Sequence, residues 1–198
     1  MSSERVLGTL QDVGLLLLSD KALPSVVALV GGPQVKGSWW GHERGHEIFN
    51  ELRKLEAHPD SLTTRLVSGK VTYLHRRLWP DFLSVATASR GWQTKGLSSE
   101  ERRLLAVVKK EGRVRMDAYK GSRNAAKEVE RRLLVYTEEL HTEMGHHTKV
   151  LSTWPQCQKL KDVSFSLRSQ AASRQALEGF VDALNEKYGA DGKVPWRQ

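Results

Sequence analysis

At 198 residues, with 39% hydrophobic and 27% charged positions, the chain is long enough and mixed enough to fold as one or two globular domains. Its 31 Lys and Arg against 23 Asp and Glu leave a net charge of +8, which favours phosphate polyanions or an anionic surface as partners. No apolar run approaches the roughly 20 residues of a membrane span, the start does not read as a signal peptide, and the lone Cys157 forbids an internal disulfide, so the expected compartment is the cytoplasm.

In the first half, Leu7, Leu10, Val13 and Leu17 recur at helical spacing and predict a helix over residues 4–19. Residues 24–30 predict a short apolar helix. A third spans residues 43–57, with Ile48, Phe49, Leu52 and Leu55 on one face, and Pro59 ends it. Strands follow over residues 62–67 and 71–78, joined by a tight Ser68-Gly69-Lys70 turn, before Trp79-Pro80 and a helix starting over residues 82–86. Helices followed by a hairpin are compatible with a winged helix. The two glycines of Ser89-Arg90-Gly91-Trp92-Gln93-Thr94-Lys95-Gly96 mark a linker.

The second half is more legible. Ser98 with Glu101 forms a capping box that opens a helix running to about Gly112, its apolar side made of Leu104, Leu105 and Val108. Met116 to Tyr119 predict one short helical turn, broken at Gly121. Ser122 then caps a third helix, over residues 123–133, with Ala126, Val129 and Leu133 on one face. Arg123, Lys127 and Arg131 stack along another at four-residue intervals. The period next shifts towards 2, predicting strands over residues 134–140 and 149–154 around a Met144-Gly145-His146-His147 turn. Helix, short helix, basic helix and hairpin are the element order of a winged helix-turn-helix.

A last helix carries Leu177, Phe180, Val181, Leu184 and Tyr188 on one stripe, which serves either the core or a homodimer seam. The expected fold is therefore α+β and mainly helical: a helical and hairpin domain over residues 1–92, which a second winged helix would fit, a winged helix-turn-helix over 93–160, and a C-terminal helix and tail over 161–198.

Arg123, Asn124, Lys127 and Arg131 are residue types that meet phosphates and base edges, since Arg pairs bidentately with guanine and Asn with adenine. The alternative for such a stripe is the solvated face of an amphipathic helix. Arg65, Lys70, His75, Arg76 and Arg77 cluster on or beside the first hairpin, where a wing would neutralise phosphate, and His146 and His147 sit at the second hairpin's tip. Trp39 and Trp40, beside Gly37 and Gly41, are placed either to stack on a base or to anchor the core. His42-Glu43-Arg44-Gly45-His46 spells the zinc-protease pattern, whose two histidines must lie on successive turns of one helix. Two glycines and a helix-start position make that a poor setting, so no metal or other cofactor is expected.

Residues 98–154, especially Glu130-Arg131-Arg132-Leu133-Leu134-Val135-Tyr136 and Glu139-Leu140-His141-Thr142-Glu143-Met144-Gly145-His146-His147, resemble winged-helix DNA-binding proteins. With Gly37-Ser38-Trp39-Trp40-Gly41-His42 and the hairpin leading to Trp79-Pro80, the chain is distantly similar to the AlkZ-like group of DNA glycosylases, which are assembled from tandem winged helices. That group uses a Gln-x-Gln type motif on its catalytic module; Gln156-Cys157-Gln158 has the letters but follows the second wing. The leading expectation is a noncatalytic protein that binds double-stranded DNA, as a regulator or a repair accessory. The alternatives are an AlkZ-like glycosylase acting on damaged bases and a zinc-dependent hydrolase.

Overall fold

A computed structural model describes residues 2–32, 38–141, 147–162 and 168–197. Helix α1 (Ser2–Val13) ends earlier than its leucine periodicity predicts, because Gly14 adopts a left-handed φ of 92°. A Cβ at Gly14 would lie 2.6 Å from the Arg77 guanidinium, which donates to the carbonyls of Gln11 and Asp12 and so closes the end of α1. The leucine run then forms strand β1 (Leu15–Leu17), not a further helical turn. All three leucines are fully buried, Leu16 in one core and Leu15 and Leu17 in another on the opposite face. A continuous apolar run is what a strand buried on both faces requires.

Helix α2 (Val26–Gly31) starts on Ser25, whose hydroxyl accepts from the Ala28 N–H. Helix α3 (Gly45–Ala57) leads into the hairpin of β2 (Ser61–Thr64) and β3 (Thr72–His75), shorter than the alternating pattern predicts because residues 66–69 form a wide turn. Helix α4 (Trp79–Ala86) follows, with Pro80 in its first turn. The three strands are antiparallel in the order β1-β3-β2, with Leu74 opposite both Leu15 and Leu62.

The predicted linker is ordered structure. It forms the short helix α5 (Gly91–Thr94), and Gln93 is fully buried. The Gln93 amide donates to the carbonyls of Ala86 at 3.0 Å and Arg132 at 3.3 Å, while its carbonyl accepts from the Arg90 N–H at 2.9 Å. One amide therefore ties the segment to both halves of the molecule.

Helix α6 (Ser99–Glu111) begins with the Ser98–Glu101 capping box as expected. It turns at Gly112 into β4 (Arg113–Arg115), a strand too short for periodicity to reveal. Residues 116–118 make a turn and not the predicted helix. Helix α7 (Arg123–Arg131) is capped by Ser122 and stops before Leu133, whose φ of 54° is left-handed. Strands β5 (Tyr136–His141) and β6 (His147–Ser152) complete a second antiparallel sheet in the order β4-β6-β5. The second predicted strand ends short of residue 154 because Thr153 caps helix α8 (Trp154–Leu160), accepting from the Gln156 N–H, with Pro155 in the first turn. Helix α9 (Gln170–Tyr188) ends at Gly189 in the left-handed conformation.

The protein is thus α+β and mainly helical, with two small three-stranded sheets. Each half runs helix, short strand, helical or turn segment, helix, hairpin, and in each sheet the last strand lies between the other two. Each half has its own core, and a third core lies between them. This central core joins Leu62 and Leu74 of the first sheet, Phe82 of α4, Tyr136 and Trp154 of the second half, and Leu177 and Val181 of α9. Phe82 meets Trp154 edge to face at 5.1 Å, and the Trp154 indole donates to the Leu133 carbonyl at 2.8 Å. The stripe of α9 faces this core: Leu177, Val181 and Leu184 are buried in it and Phe180 and Tyr188 pack against it. The homodimer seam expected there is occupied by the chain itself. No helix among the described residues is long and apolar enough to cross a membrane.

Replacing Gln93 by Ala leaves buried carbonyls and the Arg90 N–H without their partner, so Q93A should lose roughly 1–3 kcal/mol of stability. Urea unfolding would measure it; a loss below about half a kcal/mol would mean that the strap does not hold the halves together.

Candidate nucleic-acid interface

Helix α7 buries Ala125, Ala126 and Val129 against α6, and exposes Arg123, Asn124, Lys127 and Arg131 along the opposite face. Ser122 fixes where the helix starts, because its hydroxyl accepts from the Asn124 N–H. Arg123 and Lys127 have no ion pair among the described residues. Arg131 reaches only 3.9 Å from Glu128, and its side chain covers Gly69 at the first hairpin's turn. Lys120, two residues before the cap, is also exposed and without an ion pair among the described residues. The stripe is the one group of sequence-predicted residues that the fold brings together on an open face.

The first hairpin is different. Arg65 donates to Glu130 of α7 at 2.8 Å and to the Gly69 carbonyl at 3.1 Å. Lys70 pairs with Asp20 at 2.6 Å, Arg76 lies 3.5 Å from Asp60, and Arg77 closes α1. Burial, and then the Arg77 guanidinium, hold the His75 imidazole below its ordinary pKa, so it adds no positive charge near neutral pH. These side chains, expected to meet phosphate, each have a partner within the fold, and Lys70, Arg76 and Arg77 remain exposed. At the second hairpin, His146 lies outside the described residues, and of His147 only the backbone, in β6, is described. The described part of β5 presents Glu138, paired with Arg113 at 3.0 Å, and Glu139, which is exposed.

Helix α3 occupies the place in the first half that α7 occupies in the second. It carries Glu47, Glu51 and Glu56 against Arg53 and Lys54, and its Phe49, Arg53, Glu56 and Ala57 line a cavity whose other wall comes from the second half. Its outward side, with His46, Glu47, Asn50, Arg53 and Lys54 exposed, is of mixed charge, where that of α7 is a basic stripe. Trp39 and Trp40 form a 3-10 turn against the start of α3, stacked on each other at 3.9 Å. Gly45 makes the approach possible, since a Cβ there would stand 3.1 Å from the Trp39 carbonyl oxygen. Trp39 packs against the first core and Trp40 is 59% exposed, so the pair divides between the two expected roles of anchor and open ring.

The zinc pattern does not assemble. His42 lies before α3 in extended conformation and accepts from the Arg44 N–H, whereas His46 is the second residue of the helix and meets Asn50. The two imidazoles do not share one helix, and no group of three metal-ligating side chains occurs among the described residues. Cys157, in the middle of Gln156-Cys157-Gln158, is buried in the central core, and that burial pushes its thiol up to about 12.

What fixes α7 is Glu130. Its carboxylate, nearly inaccessible, accepts from Arg65 at 2.8 Å and from Lys149 of β6 at 2.7 and 2.9 Å. Comparison with known protein families, with curated proteins and with solved structures finds no match.

Glu130→Ala would strand two partly buried cations, so it should cost about 3 kcal/mol. Adding R65A should cost less on that background than it does alone, and a double-mutant cycle in urea would show this as coupling. Strict additivity would mean that the pair contributes nothing.

Proposed function

We propose that the chain binds double-stranded DNA as a noncatalytic protein of two winged-helix units in tandem, with α7 as the recognition helix. The observation that carries this is the open stripe of Arg123, Asn124, Lys127 and Arg131 on a capped helix immediately ahead of a hairpin. Element order supports the fold assignment: helix, short strand, turn, helix and hairpin, with the last strand central, is compatible with a winged helix, and both halves have it. The chemistry supports the ligand. Arg123, Lys127 and Arg131 neutralise phosphate, and an Arg or Asn at the N-terminal end of the helix reads guanine or adenine edges in the major groove. The net charge of +8 adds long-range attraction to the same polyanion.

The outward side of helix α3 carries Glu47 among Arg53 and Lys54 and not a basic stripe, so the contact is assigned to α7 alone. The basic side chains of the first hairpin, Arg65, Lys70, Arg76 and Arg77, already have partners within the fold, which favours α7 over that wing as the main phosphate contact.

Fluorescence anisotropy of labelled duplex DNA across a salt series tests this directly. The triple variant R123A/K127A/R131A should bind more weakly and lower the slope of log K against log salt by about 3. Lys70→Ala should leave both nearly unchanged. Affinity and slope identical in the triple variant and the wild type would remove α7 from the interface, provided circular dichroism shows the variant folded.

A further inference from the structure

Between the two halves lies a cavity of about 380 Å³, within the size range of small-molecule sites. One wall comes from α3, β2 and β3 with the tryptophan turn, the other from the end of α7 and from β5 and β6. Its character is set by aromatic faces and by oxygen acceptors. Trp40 stacks on Trp39 and stands 5.7 Å from Phe49, while Tyr73 and Tyr136 line the interior. Glu56 of α3 and Glu139 of β5 bring carboxylates from opposite walls.

The cations on this surface are largely spoken for. Arg65 and Lys149 are held by Glu130, and Lys161 donates to the backbone carbonyls of Glu56 and His58. Arg53, on the exposed rim, stands 3.7 Å from Glu56. Glu138 is taken by Arg113, whereas Glu139 has no ion pair among the described residues. A second observation is independent of the carboxylates. Tyr73 is fully buried and lines the cavity, and its hydroxyl has no hydrogen-bond partner among the described residues; the same holds for the buried hydroxyls of Thr64 and Thr137. Burial, then the charges of Glu56 and Glu139, raise the Tyr73 hydroxyl well above its usual range, so both carboxylates act on this interior.

We propose that this cavity binds a small organic cation with a flat aromatic body, an aromatic amidine or amine, its charge held between Glu56 and Glu139 and its ring against the aromatic wall. Aromatic faces attract a cation over the ring, and carboxylates accept from amidinium or ammonium N–H groups in short charge-assisted bonds. An anion of the same shape meets Glu139 unscreened. The site lies apart from the open face of α7, so its occupancy is measured without DNA.

The electrostatics around Glu56 agree with this. Burial and then Glu139 push its carboxyl up to about 7, against the opposing charges of Arg53 and Lys161. Arg65, Glu130 and Lys149, with Glu138, Tyr73 and Tyr136, are the other charged or titratable groups lining the cavity. A carboxyl raised on folding binds its proton more tightly in the native state. Stability is therefore lost as pH rises from the ordinary glutamate value of 4.5 through about 7, and the loss persists above it. An amidinium counters that loss, and it binds more tightly as Glu56 ionises.

The test is titration of the intact chain with benzamidine, followed by tryptophan fluorescence and calorimetry, with benzoate as the charge-reversed control. Saturable binding at one site per chain is expected, at least about ten-fold tighter for benzamidine than for benzoate and tightening between about pH 6 and 8. The double variant E56Q/E139Q should weaken it by about ten-fold or more. Urea unfolding serves as the folding control, and E56Q alone should gain stability relative to wild type as pH rises through 7. Equal affinity for the two probes, unchanged affinity in the folded double variant, or absence of saturable binding would each overturn the proposal.

Discussion

The buried carboxylate of Glu130 is the point on which the arrangement of the two halves turns. It sits on α7, accepts from Arg65 of the first half and from Lys149 of β6, and lines the cavity between the halves. Desolvating a carboxylate is expensive, and two cations recover that cost only when the geometry is good. The contribution of such a cluster is therefore more to placement than to net stability. Apolar residues in the central core pack against neighbours of many shapes, whereas a carboxylate with two fixed donors accepts few orientations. The cluster sets the rotation of α7, and so decides which of its side chains face outward.

That placement separates two halves that share one plan. Each has a short strand, a helix ahead of a hairpin, and a sheet with the last strand in the middle. In the first, the helix ahead of the hairpin turns Phe49 and Glu56 towards the other half, and the nearby basic side chains close ion pairs with Asp20, Asp60 and Glu130. In the second, the corresponding helix keeps Arg123 and Lys127 in solvent. A positive charge already neutralised in the fold releases few counterions on meeting a polyanion. The count of basic residues thus overstates the positive charge that the fold leaves without an ion pair among the described residues.

What was legible in the sequence was local. The Ser98–Glu101 box, the Ser122 cap, the apolar faces of α3 and α6 and the two hairpins follow from contacts within a few residues of each other. The strand β1 was missed because three leucines at the end of a helical pattern look helical until both of their faces are buried. Strand β4, with one buried residue between two exposed arginines, offers no period at all. The basic first hairpin looked like a phosphate surface for a related reason: Arg65 and its acceptor are 65 positions apart, and Lys70 and Asp20 are 50. The same distance hid the cavity, whose walls are drawn from segments on both sides of α4 and α5.

One consequence of Glu130 lining the cavity is that the two surfaces of α7 are not independent. Its backbone carries the outward stripe, while its inward carboxylate contacts the cations that border the cavity. Any occupant that draws Lys149 or Arg65 away from Glu130 changes the energy of the only polar contact among the described residues that ties α7 to the first hairpin's strands and to β6 at once. By linkage, such an occupant and a polyanion on the outward stripe must alter each other's affinity by the same factor. The size of that factor depends on whether α7 has two arrangements of similar energy. The central core argues for a small displacement, because Leu133, just past the end of α7, is buried between Trp154 and the first half and its carbonyl is held by the Trp154 indole. Coupling between the two proposed sites would therefore act through side-chain charge and hydrogen bonding around a nearly fixed helix, and not through a large movement of one half against the other.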